Sequence, residues 1–225
     1  MKKFNFLKIR IYSGNVFRWI LWKFGCDWLL FKKERFVEYP WILENINYKK
    51  QSKILDVGAG STIFPIQLAS LGHNVYALDL NDERNKEMKN LSHRLNNYHF
   101  LQANACKIPL KDKLFDYISF ISSLEHISDD KKALKEARRV LKNDGRILIT
   151  VPYGKKENKN KSDYKLYNQS LITKLLKTTQ LSIEKKDFYK NIGDNWIRCD
   201  ENIAEKMISG IIVKAIICLR LKKEI

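Results

Sequence analysis

The sequence predicts an α/β fold with a doubly wound parallel sheet. From Lys53 onward, short apolar segments alternate with amphipathic segments, the pattern of repeated β-α-β units. The apolar segments are rich in Ile, Val, Leu and Phe, as expected where helices cover both faces of a sheet. Two glycines follow the first predicted strand at its junction with a helix, where ligands commonly bind in such folds.

Each predicted element follows from its local pattern. Apolar runs bounded by turn residues predict strands at 53–58, 74–80, 98–104, 115–121, 146–153 and 181–189. Helical periodicity predicts helices at 63–71, 83–95, 129–142 and 170–179. Pro65 suits a first helical turn, Gly72 a helix end and Ser128 an N-cap, while Asn143-Asp144-Gly145 is predicted to form a turn.

The N-terminal region differs from the rest of the chain, so residues 1–50 are expected to form a helical, aromatic cap on a domain of residues 51–225. Residues 15–31 predict a helix interrupted near Gly25, which either lies on a membrane surface or is buried as part of the cap. Pro40 is expected to break the following segment, 34–46. Tyr39 and Trp41 either line a ligand pocket or pack against the sheet.

The formal charge of +17 is concentrated in the flanks of this 225-residue chain. Residues 1–50 and 151–225 each sum to +7, whereas residues 51–150 sum to only +3. This pattern fits a solvated lysine-rich surface, but it also fits a partner that carries phosphates or an anionic membrane. The sequence contains no uninterrupted run of 18 apolar residues, so a membrane-spanning helix is not expected.

The cysteine pattern gives no sign of a zinc site or a disulfide framework. Cys26, Cys106, Cys199 and Cys218 form no C-x-x-C pair and have no accompanying histidine cluster. A reducing compartment, and hence a cytoplasmic location, is therefore expected.

The segment Asp56-Val57-Gly58-Ala59-Gly60-Ser61-Thr62 carries the clearest chemical signal. Its glycines allow close backbone approach to a ligand, and Asp79, at the end of the next strand, is placed to bind ribose hydroxyls. A dinucleotide fingerprint would have a sixth-position glycine, where this chain has Ile63, and Asp56 would repel a pyrophosphate. A ligand with an ammonium for Asp56 and a carboxylate for the helix N-terminus fits better, which favours S-adenosylmethionine.

These motifs resemble the class I, seven-strand S-adenosylmethionine-dependent methyltransferases, including their type 11 members. The resemblance implies a Rossmann-like sheet of order 3-2-1-4-5-7-6, whose last strand is antiparallel and lies between the fifth and sixth. The apolar run 210–221 matches that strand, although membrane contact is the alternative. It also implies that the cofactor is S-adenosyl-L-methionine, bound by Asp56, Gly58, Gly60, Asp79, Leu80, Asn104, Ala105 and Ser122. Asn104 has the alternative role of capping the end of its strand.

The segment 115–127 resembles the fourth strand of the family and the loop on its catalytic face. Ubiquinone-biosynthesis O-methyltransferases carry Glu-x-x-Glu-His there and bind a divalent cation, but Ser122 replaces the first Glu in this chain. We therefore expect no metal. Glu125 and His126 are the candidate catalytic residues, with His126 acting as a base toward the acceptor or, alternatively, the segment capping the next helix.

The resemblance implies methyl transfer to an oxygen or nitrogen atom of a small molecule, a glycan or a secondary-metabolite precursor. The basic flanks leave an anionic acceptor and a peripheral membrane contact open, whereas a nucleic-acid partner is not expected. The alternatives are an RNA methyltransferase, a membrane-surface enzyme for a lipid or lipid-linked glycan, and a non-catalytic scaffold that keeps the fold. The sequence leaves the oligomeric state open.

Overall fold

The computed structural model describes most of the chain after residue 33. The described residues are 34–47, 50–60, 62–80, 90, 93, 95–156, 164–193, 195–210 and 212–224. The helix predicted at 15–31 lies outside these residues, as does most of the one predicted at 83–95.

The described elements largely follow the predicted alternation of strands and helices. The helices are α1 Arg35–Asn45, α2 Phe64–Ser70, α3 Asp130–Val140, α4 Gln169–Thr179 and α5 Glu201–Lys206, with a 3₁₀ turn at Leu124–His126. The strands are β1 Lys53–Val57, β2 Asn74–Asp79, β3 Tyr98–Gln102, β4 Phe115–Ile121, β5 Leu141–Pro152, β6 Lys155–Lys156, β7 Leu181–Ile192, β8 Asn195–Cys199, β9 Ile208–Ser209 and β10 Ala215–Lys223.

The main sheet has the order β3-β2-β1-β4-β5-β10-β7-β8 in the described part of the chain. Strands β3, β2, β1, β4 and β5 are mutually parallel, whereas β10 runs antiparallel to both β5 and β7. The predicted Rossmann-like order and the inserted antiparallel last strand are therefore confirmed. The structure adds β8, which extends the edge of the sheet beyond the seven predicted strands.

Helices cover both faces of the sheet, which explains the continuous apolar strands. One hydrophobic cluster joins the sheet to α3 and α4, and a second joins its other face to α1 and α2. In β10, Ile217 belongs to the first cluster, whereas Ile216 and Cys218 belong to the second. This strand is thus buried on both faces, as the alternation of side chains along a strand requires.

The structure corrects three local predictions. Pro40 does not break its segment but lies inside α1, because α1 buries Trp41 and Ile42 against the sheet, and this burial outweighs the hydrogen bond that proline cannot donate. Asp129, not Ser128, caps α3, since its carboxylate accepts a hydrogen bond from the backbone N–H of Lys132 at 2.9 Å.

The third correction concerns the turn predicted at 143–145, which is an irregularity within β5. The register between β4 and β5 shifts between the pairs Phe115–Leu141 and Tyr117–Arg146. Gly145 fits there because a Cβ on it would lie 2.7 Å from a methyl carbon of Leu141 and 2.9 Å from the carbonyl oxygen of Asp116. Among the helices in the described ranges, none has the length and apolar character needed to cross a membrane.

Candidate functional site

The carboxyl ends of β1 to β4 bring the predicted site residues to one edge of the sheet. Asp56 lies at the end of β1 and Asp79 at the end of β2, while Asn104 follows β3 and Ser122 follows β4. Neighbouring parallel strands end on the same edge, so the four loops lie side by side.

The loop of residues 58–60 after β1, called the glycine loop here, is fixed by backbone hydrogen bonds to the end of β2. The N–H groups of Gly58 and Ala59 both donate to the carbonyl of Leu78, at 2.8 Å and 3.1 Å. Gly58 and Gly60 have φ angles of 71° and 54°, a region that side chains other than glycine rarely adopt. A Cβ on Gly58 would lie 2.5 Å from the Cβ of Ser123, so this glycine also allows the loop to approach β4 closely.

Asp79 is hydrogen-bonded directly to this loop. Its Oδ2 accepts a hydrogen bond of 2.8 Å from the backbone N–H of Gly60. The residue is half-buried, and the neighbouring Leu80 is 68% exposed. A carboxylate beside an exposed apolar side chain at a strand end suits a ribose joined to a flat base.

Asp56 is buried at the end of β1. Its Oδ1 accepts a hydrogen bond of 2.6 Å from the hydroxyl of Ser119 on β4. Burial raises the pKa of Asp56 to about 7, and the Asp79 carboxylate adds to that rise, although the Ser119 hydroxyl and the Arg35 guanidinium oppose it. A cationic group of a ligand would favour the ionised form of this carboxyl group.

Ser122 is directed toward α1. Its hydroxyl donates a hydrogen bond of 2.6 Å to Oε1 of Glu38, and the hydroxyl of Thr150 donates one of 2.7 Å to the same oxygen. Ser122 has a φ angle of 42°, in the left-handed region. The carboxylate of Glu38 is fully buried and forms an ion pair with Arg35 through its other oxygen, Oε2.

Asn104 and Ala105 lie beyond the end of β3. The side chain of Asn104 is exposed, and its oxygen accepts a hydrogen bond of 2.8 Å from the backbone N–H of Cys106. This hydrogen bond closes a turn just after β3, which is compatible with a capping role for Asn104. Ala105 is buried in the cluster shared with α3 and α4.

The candidate catalytic residues occupy the 3₁₀ turn after β4. Glu125 is buried, and its backbone carbonyl accepts a hydrogen bond of 2.9 Å from the N–H of Lys165. The His126 side chain is exposed and meets the ring of Tyr164 edge-on, with 6.4 Å between the ring centroids. The hydroxyl of Tyr164 donates a hydrogen bond of 2.6 Å to the carbonyl of Gly210, so this side of the site includes segments from late in the chain.

The aromatic residues of α1 pack into the domain. Trp41 is buried, and its indole N–H donates a hydrogen bond of 2.8 Å to the Asp187 carboxylate on β7. Tyr39 stacks on Phe64 of α2 with ring centroids 4.3 Å apart. It is also hydrogen-bonded to the side chain of Thr62, just after the glycine loop. Trp41 is therefore a packing residue. Tyr39 also packs in the core, and its contacts with Phe64 and Thr62 join α1 to the start of α2, next to the glycine loop.

Comparisons with known proteins support this arrangement. A family model described as a methyltransferase domain matches residues 55–149, which include the glycine loop, Asp79 and the segment that contains Glu125. The ubiquinone/menaquinone biosynthesis C-methyltransferase UbiE of Rickettsia typhi is 34% identical over 175 residues, which cover 74% of this chain and 66% of that protein. The chain belongs to the class I S-adenosylmethionine-dependent methyltransferase family.

Two further comparisons define how far this likeness extends. The UbiE protein of Rickettsia prowazekii is 35% identical over 64% of this chain and 58% of its own length. The chain thus spans about three fifths to two thirds of these curated relatives. A Burkholderia thailandensis 1,6-didemethyltoxoflavin-N1-methyltransferase, solved with 1,6-didemethyltoxoflavin and S-adenosylhomocysteine, has a TM-score of 0.64, an identity of 15%, and coverage of 96% of this chain and 88% of its own. That likeness shows the fold.

The residues of this chain fit the family's cofactor. Within the described part of the chain, a Cβ on Gly60 would meet nothing within 4 Å, which leaves space for a ligand beside the loop. The buried carboxyl group of Asp56 suits a cation, and the carboxylate of Asp79 suits ribose hydroxyls. The sequence reasoning did not identify Arg35 or the role of Glu38. Their only signal was the position of a charged Arg-x-x-Glu pair just before the first strand.

Proposed function

We propose that this methyltransferase transfers a methyl group from S-adenosylmethionine to a ring carbon of a small phenolic or hydroquinone acceptor. The relatives that carry this proposal are named as C-methyltransferases of quinone biosynthesis, with 34% identity over 74% of this chain. The sequence analysis predicted an oxygen or nitrogen acceptor, and the comparisons do not confirm that choice. A carbon acceptor therefore replaces it in the proposal.

The cofactor half of the proposal is supported by the hydrogen bond from Gly60 to Asp79. S-adenosylmethionine supplies a methyl group that is already activated on a sulfonium, so the protein mainly has to position the reactants. We assign the ribose hydroxyls to Asp79, the ammonium to Asp56 and the flat face of the base to Leu80. The glycine loop lets these contacts form close to the backbone.

The acceptor half depends on the edge formed by Glu125, His126 and Tyr164. A ring carbon beside a hydroxyl becomes a stronger nucleophile when that hydroxyl loses its proton. Methyl transfer to this carbon would break the methyl–sulfonium bond and release S-adenosylhomocysteine. Loss of the proton that the ring carbon itself carried would then restore the aromatic ring. In this proposal the exposed imidazole of His126 accepts that hydroxyl proton, and its edge-on contact with the Tyr164 ring restricts how the imidazole can turn. The buried carboxylate of Glu125 favours the protonated imidazole that results.

The proposal also covers the acceptor's character and the protein's location. An anionic acceptor is consistent with the charge of +17 on the chain, and an ionised phenol is such an acceptor. A cytoplasmic location is kept as part of the proposal, and contact with a membrane surface is compatible with it.

A methyl-transfer assay tests the proposal. The purified protein is incubated with methyl-labelled S-adenosylmethionine and, separately, a hydroquinone with an unsubstituted ring carbon, a catechol and a primary amine. We expect the label on a ring carbon of the hydroquinone, as located by NMR of the product, and at least a tenfold lower rate with Asp79→Ala. Label on a hydroxyl oxygen of either phenol, or on the amine nitrogen alone, would move the proposal back to oxygen or nitrogen, and a wild type that does not bind S-adenosylmethionine would reject it.

A further inference from the structure

We propose that Arg35, held in position by Glu38, binds an oxyanion in the active site. The oxyanion is either the carboxylate at the cofactor's amino-acid end or the ionised hydroxyl of the acceptor. This inference rests on the proposed function and deepens it, because it assigns a cationic residue to a site otherwise rich in carboxylates.

The side chain of Glu38 is held in one position by its burial and its hydrogen bonds. Its carboxylate is fully buried, and it accepts hydrogen bonds from Ser122 after β4 and Thr150 on β5. These partners are 84 and 112 residues away in the sequence. A buried carboxylate bound by two hydroxyls and one guanidinium is well compensated, so Glu38 fixes both α1 and Arg35 relative to the ends of two central strands.

Arg35 is held on its other side by aromatic rings. Its guanidinium carbon lies 5.8 Å from the centroid of the Tyr39 ring, which in turn stacks on Phe64. The Arg35 side chain is 13% exposed. Burial lowers the pKa of Arg35, but the Glu38 carboxylate, together with Tyr39 and Glu125, outweighs burial and raises the pKa above its ordinary value, so the guanidinium stays charged.

The guanidinium of Arg35 has more N–H donors than it uses with the described residues. A guanidinium carries five N–H donors, and within the described ranges the side chain of Arg35 is hydrogen-bonded to Glu38 alone. Its positive charge acts on Asp56, on the cofactor side, and it feels the charge of Glu125, on the acceptor side. Arg35 is therefore within electrostatic reach of both Asp56, the proposed ammonium-binding residue, and Glu125, a candidate catalytic residue.

The pairing of opposite charges favours an oxyanion at Arg35. Arg35 and Asp56 together match the carboxylate and ammonium of an α-amino acid, and a planar guanidinium is well suited to a carboxylate. The sequence analysis assigned the carboxylate to the helix N-terminus after the glycine loop. The helix there, α2, spans only Phe64–Ser70, so its dipole is small and a full positive charge nearby is the stronger partner.

Calorimetric titration with two ligands tests the cofactor arm. The ligands are S-adenosylmethionine and its decarboxylated analogue, and the variants are Arg35→Met and Glu38→Gln. We expect Arg35→Met to weaken S-adenosylmethionine binding about 10- to 100-fold, as for a lost charge-assisted hydrogen bond, and to leave the analogue's affinity unchanged. Arg146→Met is the matched control, because Arg146 pairs with Glu184 far from the site.

Glu38→Gln separates positioning from folding, since glutamine retains an oxygen that can accept from Ser122 and Thr150. We expect a selective loss for the carboxylate-bearing ligand, alongside the lower melting temperature that follows when a buried ion pair is broken. Equal losses for both ligands would overturn the positioning role of Glu38.

Steady-state kinetics with the hydroquinone test the acceptor arm. If Arg35→Met leaves both cofactor affinities unchanged but lowers kcat/KM for the hydroquinone about 10- to 100-fold, the oxyanion is the acceptor's. If Arg35→Met matches Arg146→Met in cofactor affinity and in kcat/KM, the inference is wrong while the proposed function stands. A wild type that does not bind S-adenosylmethionine would instead reject the proposed function.

Discussion

The carboxylate of Asp79 accepts a hydrogen bond from the backbone N–H of Gly60 at 2.8 Å. This contact joins the end of β2 to the glycine loop after β1, so the residue proposed to bind the cofactor's ribose also shapes the loop. Asp79→Asn separates the two roles, because the amide oxygen can still accept from Gly60. We expect the dissociation constant for S-adenosylmethionine, measured by calorimetry, to rise about 10- to 100-fold from the loss of the charged acceptor.

The control for this variant is Asp144→Asn, since Asp144 is exposed at the opposite edge of the sheet. Equal affinities in Asp79→Asn and Asp144→Asn would show that Asp79 has no role in binding the cofactor.

Alanine substitutions at Gly58, Gly60 and Gly72, which all have positive φ, distinguish the cost of backbone strain from that of a steric clash and from that of blocking the ligand. Gly72→Ala introduces only the backbone strain of a positive φ, since no other described residue lies within 4 Å of the added Cβ. We expect a loss of about 1–2 kcal/mol in the free energy of unfolding. Gly58→Ala adds the clash with Ser123 and is expected to cost about 1–3 kcal/mol more. Gly60→Ala should resemble Gly72→Ala in stability but weaken cofactor binding.

Urea unfolding and calorimetry on the three variants give these values. Our account of the loop would be contradicted if Gly58→Ala were no less stable than Gly72→Ala, or if Gly60→Ala bound the cofactor normally.

The raised pKa of Asp56, about 7 against an ordinary 3.8, predicts that cofactor binding depends on pH. Below pH 7 the folded protein holds a proton on Asp56, and a bound ammonium favours its release. Affinity should therefore rise with pH up to about 7, by at most about tenfold per pH unit for one linked proton, and then level off. Asp56→Asn should remove this dependence.

The same group affects folding in the opposite sense. Between 3.8 and about 7, the folded chain keeps a proton that the unfolded chain has lost. The stabilisation is therefore complete below 3.8 and is lost as the pH rises through 7. Denaturant titrations give the free energy of unfolding of the ligand-free wild type and of Asp56→Asn at each pH in this range. We expect the wild type to lose stability relative to Asp56→Asn as the pH rises. The same pH dependence in both proteins would count against the raised pKa.

The two candidate catalytic residues are predicted to affect the rate and not the binding of the cofactor. His126→Gln should lower kcat about 10²- to 10⁴-fold, because it removes the proposed proton acceptor. Glu125→Gln should lower kcat less and shift the pH profile of kcat to lower pH, since the imidazolium loses a nearby negative charge. A wild-type kcat in His126→Gln would exclude this residue as the base.

Most elements of the sheet could be predicted from local patterns. Apolar runs that alternate with helical segments predicted the strands from Lys53 to Ile121. The apolar run that contains Ile216 and Ile217 was assigned to the buried last strand through the resemblance to the methyltransferase family. The glycine loop and Asp79 were also recognisable, because a short motif at a strand end carries its own geometry.

Contacts between distant segments could not be predicted in this way. Glu38 meets Ser122 and Thr150 only after the sheet has formed, and no local pattern reports such a contact. Pro40 inside α1 shows tertiary packing overriding a local rule. The edge strand β8 was missed because its exposed residues, such as Ile197 and Arg198, give no strong strand pattern.

The position of the transferred methyl group is the most direct test of our account. The protein is incubated with ¹³C-methyl S-adenosylmethionine and a hydroquinone that has an unsubstituted ring carbon, and the product is examined by NMR. Our account predicts a methyl resonance coupled to a ring carbon, with Asp79→Asn giving much less of it. A methyl group on oxygen or nitrogen, or an equal yield from Asp79→Asn, would contradict it.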